Sequence, residues 1–199
     1  MLTIQEIFDE IKSSGGLTPS RRLRDIATRF PDQVAFRDKR FGIWNEITYG
    51  EFWTQVQYVG SALNYFGIER NDKVAIHSEN RPEWLIADIG IQSLGAISVG
   101  LYPTNPPAEV QYLLSHSESK ILFAEDQEQV DKALEVSKDV PNLSKIIYFE
   151  EKGLFRYESD KLMRWDDFLD IGKTEYEKDK NFVTSSIDQI KSEDVALMI

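Results

Sequence analysis

Between residues 73 and 149 short apolar runs alternate with helix-patterned segments, and this alternation constrains the fold more than any other feature. KVAIH (73–77), AISVGL (96–101), KILFA (120–124) and KIIYF (145–149) have strand length and apolar interiors. A strand apolar on both sides offers no face to water. Such strands belong to parallel sheets with helices over both faces. The intervening segments are long enough for the crossover helices that parallel neighbours require. The sequence therefore predicts a three-layer α/β fold with a mostly parallel sheet.

The helices carry their own signals. Thr48-Tyr49-Gly50-Glu51 is a capping box, with Thr followed three residues later by Glu. Behind it Phe52, Val56, Val59, Leu63 and Phe66 form one apolar stripe, and Gly67 suits the C′ position. Pro82 opens a helix that is apolar nearly all round, through Trp84, Leu85, Ile86, Ala87, Ile89 and Ile91, which predicts cover on several sides. Pro106-Pro107 begins another, with Asn105 or Thr104 as its cap. Val130, Ala133 and Leu134 mark a further helix. Earlier in the chain, Ile4, Ile7, Phe8 and Ile11 predict a helix over 2–11. Thr18-Pro19 starts a second one, with Leu23, Ile26, Ala27 and Phe30 inward. Residues 34–37 and 43–47 predict a strand pair joined by a polar turn at 38–42.

Residues 84–102 form a mostly apolar stretch of nearly spanning length. A spanning helix needs about 20 apolar residues with few charges. Asp88 and Gln92 inside the stretch, with Gly95 at its middle, favour a buried helix, a turn and a buried strand instead.

Composition narrows the function. The chain has 23 Lys and Arg against 34 Asp and Glu, a formal net charge of −11. A nucleic-acid partner wants a basic stripe, so none is expected. Without cysteine there is no disulfide scaffold, thiolate nucleophile or cysteine-held metal. Its 2 histidines, His77 and His116, rule out a three-histidine metal site within one chain. No basic-then-apolar leader opens the sequence, so the cytoplasm is the expected location. From Glu150 the texture becomes charged, with scattered aromatics. Residues 150–192 are expected to form a peripheral, solvated excursion with one short helix over 165–171.

The last five residues, Val195-Ala196-Leu197-Met198-Ile199, have the signature of a buried strand. In open α/β sheets ligands sit beyond the carboxyl ends of the strands. A chain stopping on such a strand is expected to be part of a longer one, with its main ligand-binding loop beyond Ile199.

Candidate site residues cluster at strand ends. His77 closes KVAIH and reads chiefly as the satisfied polar end of a buried strand. His116 reads as a capping or turn residue. Glu79-Asn80-Arg81-Pro82-Glu83-Trp84 reads equally as scaffold and as site, with Arg81 and Glu83 able to pair. Tyr102-Pro103-Thr104-Asn105-Pro106-Pro107 is a stiff loop between a strand's carboxyl end and a helix N-terminus, an address that suits an anion or a nucleotide. The phosphate-loop patterns G-x-G-x-x-G and G-x-x-x-x-G-K-[ST] and the elbow G-x-S-x-G are missing.

Taken together, ITYGEF (47–52) and the run from Gly67 to Asp126 resemble the amino-terminal part of adenylate-forming enzymes, most of all the long-chain fatty acyl-CoA synthetases. ITYGEF resembles the first core motif of that family and SLGAISVGLYPTNPP the second. NRPEW and YPT are similar to the long-chain forms of those regions. The resemblance covers residues 18–149 as a core βαβ region and returns at 193–199; the charged stretch 150–192 matches poorly. It implies that 1–199 is the first part of a large AMP-binding domain, ending before the family's Ser/Thr/Gly-rich phosphate loop. It further implies a whole enzyme using ATP, Mg²⁺ and coenzyme A on a fatty acid, through an acyl-adenylate and then an acyl-CoA. By the family's pattern Tyr102, Pro103 and Thr104 would lie at the mouth for coenzyme A. No catalytic role passes to Thr48, Glu51, His77 or Arg81, and no cofactor is expected to bind tightly to these residues alone. The expected consequences are an inactive chain that self-associates, with membrane association of the whole enzyme left open. Two readings from other classes stand beside this one: a short non-catalytic interaction module, and an unrelated doubly wound nucleotide binder.

Overall fold

The structure, a computed structural model, describes Glu6, Asp9 and residues 18–199. The helix expected over 2–11 otherwise lies outside the described residues. In chain order the elements are α1 (Pro19–Arg29), β1 (Val34–Arg40), β2 (Ile43–Thr48), α2 (Tyr49–Tyr65), β3 (Lys73–His77), α3 (Pro82–Gln92), β4 (Ile97–Leu101) and α4 (Pro107–Ser117). There follow β5 (Ile121–Ala124), α5 (Gln127–Val136), β6 (Lys145–Tyr148), β7 (Leu162–Arg164), α6 (Trp165–Lys178), α7 (Phe182–Asp188) and β8 (Leu197–Met198).

Six strands form one sheet in the order β7-β6-β5-β3-β4-β8, and every neighbouring pair is parallel. β1 and β2 stand apart as an antiparallel hairpin. The alternation in each strand divides the core in two. Val74, Ile76, Ile121, Phe123 and Ile147 face α2, α3 and α6. Ala75, Val99, Leu101, Leu122 and Ile146 face α4 and α5. The expected three layers follow from strands whose successive side chains point to opposite, equally dry faces.

Most local signals are realised, with two exceptions at the α4 cap and the hairpin turn. The Thr48 hydroxyl accepts from Glu51 N, while a Glu51 carboxylate oxygen accepts from Thr48 N at 2.8 Å. Gly67 and Gly95 sit at φ 76° and 68°, in the left-handed region that glycine favours. Residues 84–102 split into α3 and β4 around the turn at Gly95, and no helix among the described residues is long and apolar enough to cross a membrane. The cap of α4 is Pro106 rather than Asn105 or Thr104; Asn105 instead donates to Glu109 at 2.5 Å. The hairpin turn is Phe41-Gly42 alone, because pairing continues through Arg40 and Ile43.

Two expectations are corrected. Residues 150–192 are not an excursion from the fold. β7 extends the sheet beyond β6, and α6 packs on α2 so closely that a Cβ on Gly172 would lie 2.0 Å from the Tyr58 carbonyl oxygen. Trp165 and Phe168 enter the core against Phe123 and Phe149. Charges on the wet side of α6 masked a narrow stripe, Trp165-Phe168-Gly172, on its dry side. The terminal strand is also shorter and wetter than expected. Only Leu197 and Met198 pair, against Ser98 and Val99, and Val195, Leu197, Met198 and Ile199 are all exposed. Among the described residues β8 has β4 on one flank only, so pairing fixes its direction without burying its side chains.

Candidate functional site

α3 carries the chain from β3 to β4 over one face of the sheet, and α4 carries it from β4 across β3 to β5 over the other. The loops leaving β3 and β4 therefore part to opposite faces. This is the switch point at which open α/β sheets leave a crevice. A cavity of about 280 Å³ lies there. Its walls are Ser78, Glu79, Asn80 and Trp84 from the β3–α3 side, Gly100 to Pro103 from β4 and its loop, and Ile199 from the chain's end.

The two loops are fixed from beneath by four side chains. His77, fully buried at the end of β3, lies with Nε2 3.1 Å from the Tyr102 carbonyl oxygen. A carbonyl only accepts, so Nε2 carries the proton and donates; Nδ1 is buried with no partner among the described residues. Burial, with the nearby Lys132 charge second, lowers the His77 pKa to about 4, so the ring is neutral at pH 7. Lys132 Nζ donates to the Pro103 carbonyl at 2.8 Å and to Glu128 at 2.7 Å. Both carbonyls of the Tyr102-Pro103 segment are thus tied down.

On the other loop Arg81 is a hub. It pairs with Glu83 and Glu150 at 2.7 and 2.8 Å and lies over the Phe149 ring. Burial alone would lower its pKa; the hydrogen bonds to Glu83 and Glu150 outweigh that and raise it, so the guanidinium is permanently charged. A carboxylate oxygen of Glu125 accepts from Ser78 Oγ at 3.2 Å and Glu79 N at 2.6 Å, joining the β3 loop to the end of β5.

Several expectations meet the geometry here. Tyr102 and Pro103 line the cavity; Thr104 is exposed beside it and does not. Arg81 and Glu83 pair as expected. His116 stacks on Tyr112 in the last turn of α4 and takes no part. The anion address at α4 is sparsely furnished with donors. Pro106 and Pro107 lack N–H groups, the Glu109 and Val110 amides are bound to the Pro106 carbonyl, and Glu109 puts a negative charge in the first turn. Asn80 was visible only as part of a loop, and Trp84 as part of that run and of the helix that Pro82 opens. Lys132 carried no sequence signal, because it reaches Pro103 from a helix about 30 residues away.

The lining is mainly apolar and aromatic with a polar fringe, and it contains no Lys, Arg or His. It fits an apolar or planar group and does not fit a polyphosphate, which needs cations or free backbone amides. Among the described residues no cluster of three or more His, Asp or Glu is placed to hold a metal ion.

The pattern of known AMP-binding enzymes matches residues 23–199. A long-chain-fatty-acid–CoA ligase of Xenopus laevis, ACSBG2, is 27% identical over 92% of this chain and 24% of its own length. The ligase FadD15 of Mycobacterium bovis is 32% identical over 62% of this chain and 20% of its own length. The chain thus spans about a quarter or less of the curated relatives it matches. Among solved structures, the anthranilate CoA ligase AuaEII in complex with anthranoyl-AMP aligns with TM-score 0.67 at 20% identity, over 76% of this chain and 27% of that one. A structure titled as a long-chain-fatty-acid CoA ligase from Rhodopseudomonas palustris CGA009 gives 0.65 at 20% identity, over 76% of this chain and 36% of that one. At that identity they speak for the fold, while the match over residues 23–199 decides the family: the chain belongs to the AMP-binding enzymes.

Proposed function

We propose that this chain is the amino-terminal part of an ATP-dependent long-chain fatty acid–CoA ligase, and that alone it does not activate fatty acids. The family match over residues 23–199 carries the reading. The names of the relatives support long-chain fatty acids as the substrate class. In the whole enzyme ATP with Mg²⁺ would supply the activated phosphorus and coenzyme A the thiol. The cavity lining offers no cation to a polyphosphate, and no catalytic step is assigned to it. Its part is architectural. His77 and Lys132 fix the backbone of Tyr102 and Pro103, and Arg81 fixes the facing loop, so that two rigid walls frame the crevice. Tyr102, Pro103 and Thr104 are the proposed mouth for coenzyme A, with Tyr102 offering an exposed ring to a planar or apolar portion of it. We place the enzyme in the cytoplasm.

The test is pyrophosphate release from ATP, Mg²⁺ and palmitate. The 199-residue chain should give background rates, and the full product of its reading frame should give palmitate-dependent release. Turnover by the short chain overturns its inactivity. A full product active on short carboxylates and silent with palmitate overturns the long-chain assignment.

A further inference from the structure

β1 and β2 pair up to Arg40 and Ile43, leaving Phe41 and Gly42 as a two-residue turn with φ 50° and 83°. Two positive φ values define the tight hairpin turn that favours Asn-Gly. A phenylalanine in that first position is sterically disfavoured. Nothing repays it locally: Phe41 is 103% exposed, and Ile43 and Trp44 beside it are 67% and 62% exposed. The chain therefore holds an aromatic ring in a poor conformation, outside any core, next to two more exposed apolar side chains. Strain of this kind points toward function.

Shape and charge select the partner. Residues paired across a hairpin share a face, so Trp44 lies with Lys39, whose Nζ is 5.5 Å from its ring, and Ile43 lies on the opposite face with Phe41 at the apex. A single flat protein surface covers one face of such a wedge. A bilayer surrounds it. The four tip residues Arg40 to Ile43 extend roughly 7 Å beyond the last Lys39–Trp44 pair at strand rise, close to the depth of the headgroup and acyl boundary. Indole and phenyl rings favour that zone, and flanking cations reach the headgroups. Lys39 supplies one such cation next to the apex, beside Asp38 in the sequence, whereas Glu46, farther back, is paired with Arg37 at 2.7 Å. In a chain of net charge −11, residues 37–46 carry three bases against two acids in the sequence. Farther down the hairpin, Asp38, Asn45 and Ile47 border the starts of α3 and α6, the helices that leave the carboxyl ends of β3 and β7. The hairpin thus flanks the end of the sheet that holds the candidate site.

We propose that the Lys39–Trp44 tip is a membrane-docking wedge that inserts into the headgroup layer of an anionic lipid surface. The inference does not depend on the proposed enzymatic role.

Flotation of the 199-residue chain with vesicles of phosphatidylcholine, and of phosphatidylcholine with a phosphatidylserine minority, tests it. The chain should float with the mixed vesicles, more weakly with the neutral ones, and less at high salt. The variant Phe41→Asn, Trp44→Thr should lose at least about tenfold in vesicle partitioning. Phe41→Asn alone should weaken partitioning while leaving the thermal midpoint unchanged or raised, since Asn accepts the left-handed backbone. No flotation of the unsubstituted chain overturns the proposal. So does flotation that survives the double substitution, or a tip that mediates only chain-to-chain association.

Discussion

His77 ties the chemistry of the crevice to proton concentration. Its ring is dry and neutral, its Nε2–H holds the Tyr102 carbonyl, and its pKa lies at about 4 against 6.5 for the free residue. Between those values the unfolded chain binds a proton that the folded chain refuses. Stability therefore falls as pH drops from about 6.5 toward 4 and levels off below, with a total loss on the order of 3 kcal/mol. Asp88 works in the opposite sense: burial raises its carboxyl above the usual range, partly offset by the Gln92 hydrogen bond, so the folded state takes up its proton first on acidification. The two are separated by a substitution. His77→Gln keeps a neutral donor at the strand end, so urea denaturation of that variant should show a shallower loss of stability than the parent between pH 6.5 and 4.5. Equal slopes would mean that His77 is not the titrating group. The residue was legible as a buried strand end; its hydrogen bond to Tyr102 was not, because sequence does not tell which loop crosses above which strand.

Among the elements, packing against bare glycine decides more than capping does. α2 begins with a reciprocal cap, so Thr48→Ala should cost about 1 kcal/mol. The same helix is pressed by α3 at Gly90, where a Cβ would lie 2.3 Å from Val59 Cγ1, and by α6 at Gly172, where it would meet backbone at 2.0 Å. A side-chain neighbour can turn away; a carbonyl oxygen in a helix cannot. Gly172→Ala should therefore cost at least about 3 kcal/mol, well above Gly90→Ala and Thr48→Ala, as read from denaturation midpoints. A Gly172→Ala chain as stable as Thr48→Ala would show that α6 is not seated on α2. The cap and stripe of α2 were legible because both are local patterns. The seating of α6 was not. Its buried positions, Trp165, Phe168 and Gly172, are thin among acidic neighbours, and Gly172 gains its meaning only from Tyr58, more than 100 residues earlier.

At the scale of the molecule, the topology was largely written in the strands. Continuous apolar runs separated by crossover-length segments leave few arrangements other than a parallel sheet with two covered faces. The strand order was not written there, and the crevice depends on it, since it exists only where the loops after β3 and β4 part. The terminal pentapeptide shows the limit most clearly: its apolarity marked a strand and the sheet gave it a place, but its surroundings left it wet. Among the described residues β8 pairs with β4 alone, which leaves its other edge open beside Val195, Leu197, Met198 and Ile199, all exposed. Edges of this kind pair with other chains unless charge or proline guards them. Two copies can add their β8 strands to each other and bury those side chains together. Sedimentation velocity over rising concentration should therefore reveal dimers or larger species, and Leu197→Lys should restore the monomer by placing a charge on the edge. The hairpin substitution Phe41→Asn, Trp44→Thr should leave this association intact, because the tip lies on a separate two-stranded sheet. A parent chain that stays monomeric at high concentration would show that the β8 edge does not recruit a second copy.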